Sequence, residues 1–167
     1  MNAFIPALIA VLLAEYGGRA TLFARLPNLS LAATLLGVAV GIAAFGGISL
    51  ASTMNAHARA LMLGIALILT GFGQFGKAPS SVPPATVAGT LLFVWRSSAP
   101  FLAFAFSIWK GAPVGAAAGA LAGIAGAVAL GAVPLSPRTT LLVRRLSGAT
   151  ITVIGIYAAL WALRLIA

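Results

Sequence analysis

Acidic residues are almost missing from this 167-residue chain, where a single Asp or Glu stands against ten Lys and Arg for a formal charge of +9. One carboxylate excludes paired-acid catalysis and any cation cage built from several carboxylates of one chain. Cysteine is absent, which removes disulfides, thiolate metal sites and cysteine nucleophiles. The one histidine, His57, has no second metal ligand near it in the sequence and reads as a solvent-exposed residue at a helix start. With no acid/base pair, triad or metal cluster, the chain is expected not to be an enzyme and to carry no resident cofactor.

Charge of either sign is also scarce. Charged residues make up 7% of the chain and hydrophobic ones 62%, with a mean hydropathy of +1.14. A soluble domain carries about 25% charged residues, so an ordinary water-soluble fold is excluded. The basic residues are scattered singly between apolar runs, which points to the lipid bilayer as their electrostatic partner and away from nucleic acid. The fold class expected is an all-α, multi-pass integral membrane protein. Met1–Ala14 is apolar and has no basic residue before it, so it reads as a first spanning helix and not as a signal peptide.

About 20 apolar residues cross the hydrocarbon core, and the hydropathy breaks favour six transmembrane helices. They are placed at Ala3–Ala24, Leu29–Ala51, Ala58–Phe75, Ala85–Trp109, Pro113–Val133 and Leu141–Leu165. The separators hold charges, prolines or both, except the polar stretch Ser52–His57, and the longest, Gly76–Pro84, falls near the midpoint. It divides a first three-helix half, residues 1–75, from a second, residues 85–167, across a linker at 76–84. Three is odd, so the halves enter the membrane from opposite sides in inverted topology, an arrangement that recurs in secondary transporters. Arg25, Lys77, Arg138, Arg144 and Arg145 fall on one side and Arg59, Lys110 and Arg164 on the other, which favours both termini outside.

Small residues supply close helix packing in lipid. Gly115, Gly119 and Gly123 form one such stripe and Gly37 with Gly41 a shorter one; both read as packing seams, within a subunit or between subunits of a homo- or hetero-oligomer. Trp95, Trp109, Tyr157 and Trp161 fall mostly near span ends or the lipid interface, the usual place for amphipathic rings, and Trp95 alone is a candidate for stacking on a ligand.

Ionisable residues inside a span cost about 2.5–3.5 kcal/mol on insertion scales, and three need a reason: Glu15, Arg19 and Arg96. Glu15 is the only acid, and it precedes the consecutive glycines Gly17 and Gly18, which weaken the helix. Arg19 follows four residues later, where a continuous helix allows an ion pair. In the stretch Trp95-Arg96-Ser97-Ser98-Ala99-Pro100, Pro100 has no N–H to give the carbonyl of Arg96, so the fourth span is expected to break there. Paired interrupted helices in corresponding positions of two halves point to a midplane site.

The stretch Glu15-Tyr16-Gly17-Gly18-Arg19-Ala20-Thr21 resembles the Glu-x-Gly-Asp-(Lys/Arg)-(Thr/Ser)-Gln signature of the manganese and calcium cation/proton exchanger family. That family is likewise built of two inverted three-helix halves with a signature in the first helix of each. The resemblance implies that Glu15 is the ion- or proton-binding carboxylate and metal ligand, with Gly17 the signature glycine and Arg19 the basic position. It implies Mn²⁺ or Ca²⁺ as transported ion, and a bacterial inner (cell) membrane as location. Gly18 stands where the family has aspartate, Ala20 where it has Thr/Ser, and Thr21 where it has glutamine. In the second half either Val94 or Leu92 takes the glutamate position, according to register, so one carboxylate remains. Thr21, Ser97 and Ser98 can add neutral oxygens, with Arg19 and Arg96 as charge partners.

Two functions follow. In the first, the protein is a transporter in which Glu15 binds ion and proton alternately at the broken first helix. In the second, it is a non-transporting or heteromeric membrane subunit in which Glu15, Arg19 and Arg96 form a structural ion cluster. A third, anion binding at Arg19, Arg96 and Ser97, ranks below both.

Overall fold

A computed structural model describes residues 2–16, 20–23, 26, 28–76, 86–131 and 136–164. Every regular element among them is an α-helix: α1 (Phe4–Glu15), α2 (Ala20–Phe23), α3 (Leu29–Ala51), α4 (Ala56–Gly73), α5 (Val87–Trp95), α6 (Ser98–Lys110), α7 (Pro113–Gly131) and α8 (Pro137–Ala162). The helices α3, α4, α7 and α8 are each long and apolar enough to cross a membrane, and α5 with α6 reaches that length as a pair bent by 44°. Large apolar side chains such as Ile42, Leu69, Val114 and Val153 point outward, a surface that suits lipid and not water. The chain is a multi-pass membrane protein.

Local sequence sets the helix boundaries. The Asn55 side chain accepts from the Ala58 N–H at the start of α4, and Thr86 accepts from Gly89 N–H at the start of α5. Ser136 caps α8 and Pro137 opens it, a pairing in which the proline's missing N–H costs nothing. Gly111 ends α6 with φ +63°, a left-handed conformation that favours glycine.

The core is made of small residues. Ala7, Ala32, Ala99, Ala103, Ala116 and Ala120 are fully buried, so backbones approach closely, as association in lipid requires. Along α7, the faces of Gly115, Gly119 and Gly123 meet Asn2 and Phe4, then Phe4, then Leu8 and Val11. The residue numbers rise together, so α1 and α7 run parallel, and this stripe is a packing seam as expected.

The most extensive helix pairing lies elsewhere, between α4 and α8. Gly64 faces Gly155 and Ala159, while Gly71 faces Gly148 and Thr152, an antiparallel register of glycines seven residues apart on each helix. By contrast, a Cβ added at Gly37 or Gly41 would meet nothing within 4 Å. Those two glycines stand free of the seams between the described helices, because α3 presents Gly47 and Ala44, not Gly37 and Gly41, to α6. Both α1 and α2 lie on α7, and both α5 and α6 lie on α3.

Candidate functional site

The site begins with the break between α5 and α6. Pro100 occupies the first turn of α6, where the amides have no intrahelical partner, so its missing N–H costs little. One turn earlier the chain stops being helical, and Arg96 and Ser97 separate the two helices. Ser97 caps α6, its hydroxyl accepting from the Ala99 N–H at 3.3 Å. This leaves the Ser98 N–H and two serine hydroxyls at a helix N-terminus inside the bundle.

Glu15, the last residue of α1, fills that position. Its side chain is 3% exposed, and Oε1 accepts from Ser97 Oγ at 2.9 Å, Ser98 N–H at 2.8 Å and Ser98 Oγ at 2.6 Å. The C-terminal end of α1 is the unfavourable end for an acid, whereas the N-terminal end of α6 is the favourable one. The contact with α6 therefore supplies what α1 withholds. On the far side of both breaks, Phe23 of α2 meets Phe93 of α5 edge to face, with ring centroids 4.8 Å apart. The two interrupted rods thus touch on both sides of their breaks.

A second polar chain holds the end of α1 from behind. The Gln74 side-chain amide donates to the Ala14 carbonyl, and Gln74 Oε1 accepts from Arg144 Nε at 3.3 Å. Arg144 is buried in α8 and also donates through Nη2 to the Gly76 carbonyl at 2.7 Å. Gly148 makes room for this link, since a Cβ there would lie 2.7 Å from that of Gln74. Arg144 thereby ties together α8, the end of α4 and the end of α1.

Of the residues singled out by sequence, Glu15, Ser97 and Ser98 are brought together. Arg96 caps the end of α5 with its side chain exposed. Gly17, Gly18 and Arg19 lie outside the described residues, as does most of the linker; Thr21 is described only as part of the helical turn α2. Among the described residues the partners of Glu15 are hydroxyls and an amide, with no cation. No group of three or more His, Cys, Asp or Glu that could hold a metal ion occurs among them. His57 is not freely exposed: its ring stacks on Trp161, 5.5 Å between centroids, and Nε2 lies 3.4 Å from Arg164 Nη2.

Gln74 and Arg144 were not expected at the site. Arg144 had a signal, since Arg144, Gly148, Ile151 and Gly155 fall on one helical stripe and α8 begins at the Ser136-Pro137 start. Substitution Arg144→Met leaves Gln74 Oε1 and the Gly76 carbonyl without this donor, and about 1.5–3 kcal/mol of stability should go. Detergent-denaturation midpoints compare it with Arg145→Met, the exposed neighbour, which should shift by no more than about 0.5 kcal/mol. No known protein family, no curated protein and no solved structure matches the chain.

Proposed function

We propose that this chain is a six-span secondary transporter of the cation/proton exchanger type, in which Glu15 takes a proton and a cation in turn where two interrupted spans meet. The observation that carries the reading is the buried Glu15 carboxylate, held through one oxygen by the Ser97 and Ser98 donors at the α5–α6 break. An intramembrane acid asks for a purpose, and one at the meeting of discontinuous helices has the setting of a transport site. The helix pairings support two inverted halves: interchanging them maps α1 and α2 on α7 onto α5 and α6 on α3, and leaves α4 against α8. Parallel α1 and α7 with antiparallel α4 and α8 is what six alternating crossings require.

The chemistry follows from the donor set. Each serine hydroxyl has one hydrogen and two lone pairs, so Ser97 and Ser98 donate to an empty carboxylate and turn to offer oxygen to a hard cation such as Mn²⁺ or Ca²⁺. Water and the carbonyls of the break complete the oxygen shell that such ions require. A proton and a cation compete for the same carboxylate, and mutually exclusive occupancy is the physical basis of exchange. On this reading the protein lies in a bacterial cell membrane with both termini outside.

One observation favours a second reading. All three donors to Glu15 Oε1 belong to the chain itself, so the carboxylate is satisfied without cargo and can serve as a strut in a non-transporting subunit. Proteoliposomes with an imposed pH gradient separate the two. Mn²⁺ or Ca²⁺ flux should require the gradient and fall to background in Glu15→Gln; silence from folded, reconstituted wild type would leave the strut.

A further inference from the structure

A groove of about 540 Å³ opens among α1, α4, α6 and α8, away from the Glu15 contacts. Its size falls within the range of about 300–1,000 Å³ typical of ligand sites. Its walls are apolar, with Leu13, Leu67 and Ile151 at the deep end and Trp109, Tyr157 and Trp161 near the mouth. Tyr157 and Trp161 are exposed, so the groove opens sideways onto the surface that faces lipid. The wall rises about 10 Å from Pro6 to Leu13 along α1 and about 15 Å from Ile151 to Trp161 along α8, comparable with the roughly 15 Å of one leaflet's hydrocarbon. The groove's length is therefore about that of one leaflet, which suits a bilayer lipid.

The mouth carries positive charge. Lys110 lines it, with Nζ 3.8 Å from the centre of the Trp109 ring. Across the opening, Trp161 is stacked by His57, which Arg164 touches in turn. The only acid of the chain is Glu15, and its described partners are the serines of the α5–α6 break. Among the described residues no carboxylate lies against Lys110, and its exposed ammonium is open to an anionic partner from outside the chain.

From this juxtaposition we infer that the groove holds one acyl chain of an anionic phospholipid, whose phosphate headgroup sits at Lys110 between the Trp109 and Trp161 walls. The inference needs only that the chain lies in a bilayer, and it stands apart from ion exchange at Glu15. A zwitterionic lipid offers the same acyl chain but no net charge, so headgroup preference is the discriminating quantity.

Native mass spectrometry of the full-length protein tests this, after equilibration with an equimolar mixture of phosphatidylglycerol and phosphatidylethanolamine in mild detergent. Wild type should retain one phosphatidylglycerol in preference to phosphatidylethanolamine by about fivefold, the worth of one lysine at an anionic surface. Lys110→Gln should bring the two lipids to parity. Ala158→Trp, which fills the groove from α8, should lose both, with folding checked by helical circular dichroism. Equal retention by wild type, or no retained lipid, overturns the inference whether or not the variants fold. So does a preference that survives Lys110→Gln.

Discussion

The double substitution Ser97→Ala, Ser98→Ala is expected to destabilise the protein by about 3–6 kcal/mol, since each hydrogen bond to a charged group contributes about 1.5–3 kcal/mol. Two of the three donors to Glu15 Oε1 are lost, and the acid stays buried at 3% exposure. Against a total stability of about 5–15 kcal/mol, that is a large share. The prediction is sharpest as a thermodynamic cycle. In a Glu15→Gln background the same serine changes should cost at least about 2 kcal/mol less, because a neutral amide demands less of its donors. Unfolding in mixed micelles reads all four proteins. An identical cost in both backgrounds would reduce Ser97 to a helix cap, worth about 1 kcal/mol, and would break the link between the halves at Glu15.

Valine at Gly64 or Gly155 should be at least as damaging. A Cβ at Gly64 would stand 2.7 Å from the Ala159 nitrogen and 2.8 Å from the Gly155 carbonyl oxygen; at Gly155 it would stand 2.8 Å from both the Gly64 oxygen and the Ile68 nitrogen. These are backbone atoms, which cannot swing aside. The helices α4 and α8 must then separate, and about 3 kcal/mol or more should be lost, seen as loss of monodisperse protein or a collapse of the melting temperature. The same change at Gly37 or Gly41 has open space and should move stability by no more than about 0.5 kcal/mol. Equal behaviour at the four positions would contradict the α4–α8 register.

These contrasts show what sequence patterns carry. Apolar runs and scarce charge suffice for a multi-pass helical protein, because lipid tolerates few other folds. The break at Arg96 was legible from Pro100, whose missing N–H acts on its own helix, and Ser97 and Ser98 came with it. Glu15 stood out by the cost of an acid in a span, by the glycines beside it and by the resemblance of its stretch to a family signature. Gln74 did not, because its partner is a backbone carbonyl on α1 sixty residues away, a contact with no spacing in the sequence. Arg144 lay close enough to the start of a span to pass for a topology-setting charge, although it is buried in α8. The glycine stripes were half legible: spacing marks a face fit for close approach, but only the bundle decides which face is used. Gly115, Gly119 and Gly123 meet α1, and the heptad-spaced pairs of α4 and α8 meet each other, while Gly37 and Gly41 are left open.

On the six-span reading proposed above, with α1 entering at the membrane surface, its twelve residues would carry Glu15 about 18 Å along the helix, or about six-tenths of the way through a hydrocarbon core of roughly 30 Å. A charge that reaches Glu15 from that end has crossed the same fraction of the membrane potential. At about 2.3 kcal/mol per charge per 100 mV across the full thickness, this amounts to about 1.4 kcal/mol, or about tenfold in occupancy. On that reading the carboxylate would respond to the electrical state of the membrane as well as to its chemical gradients.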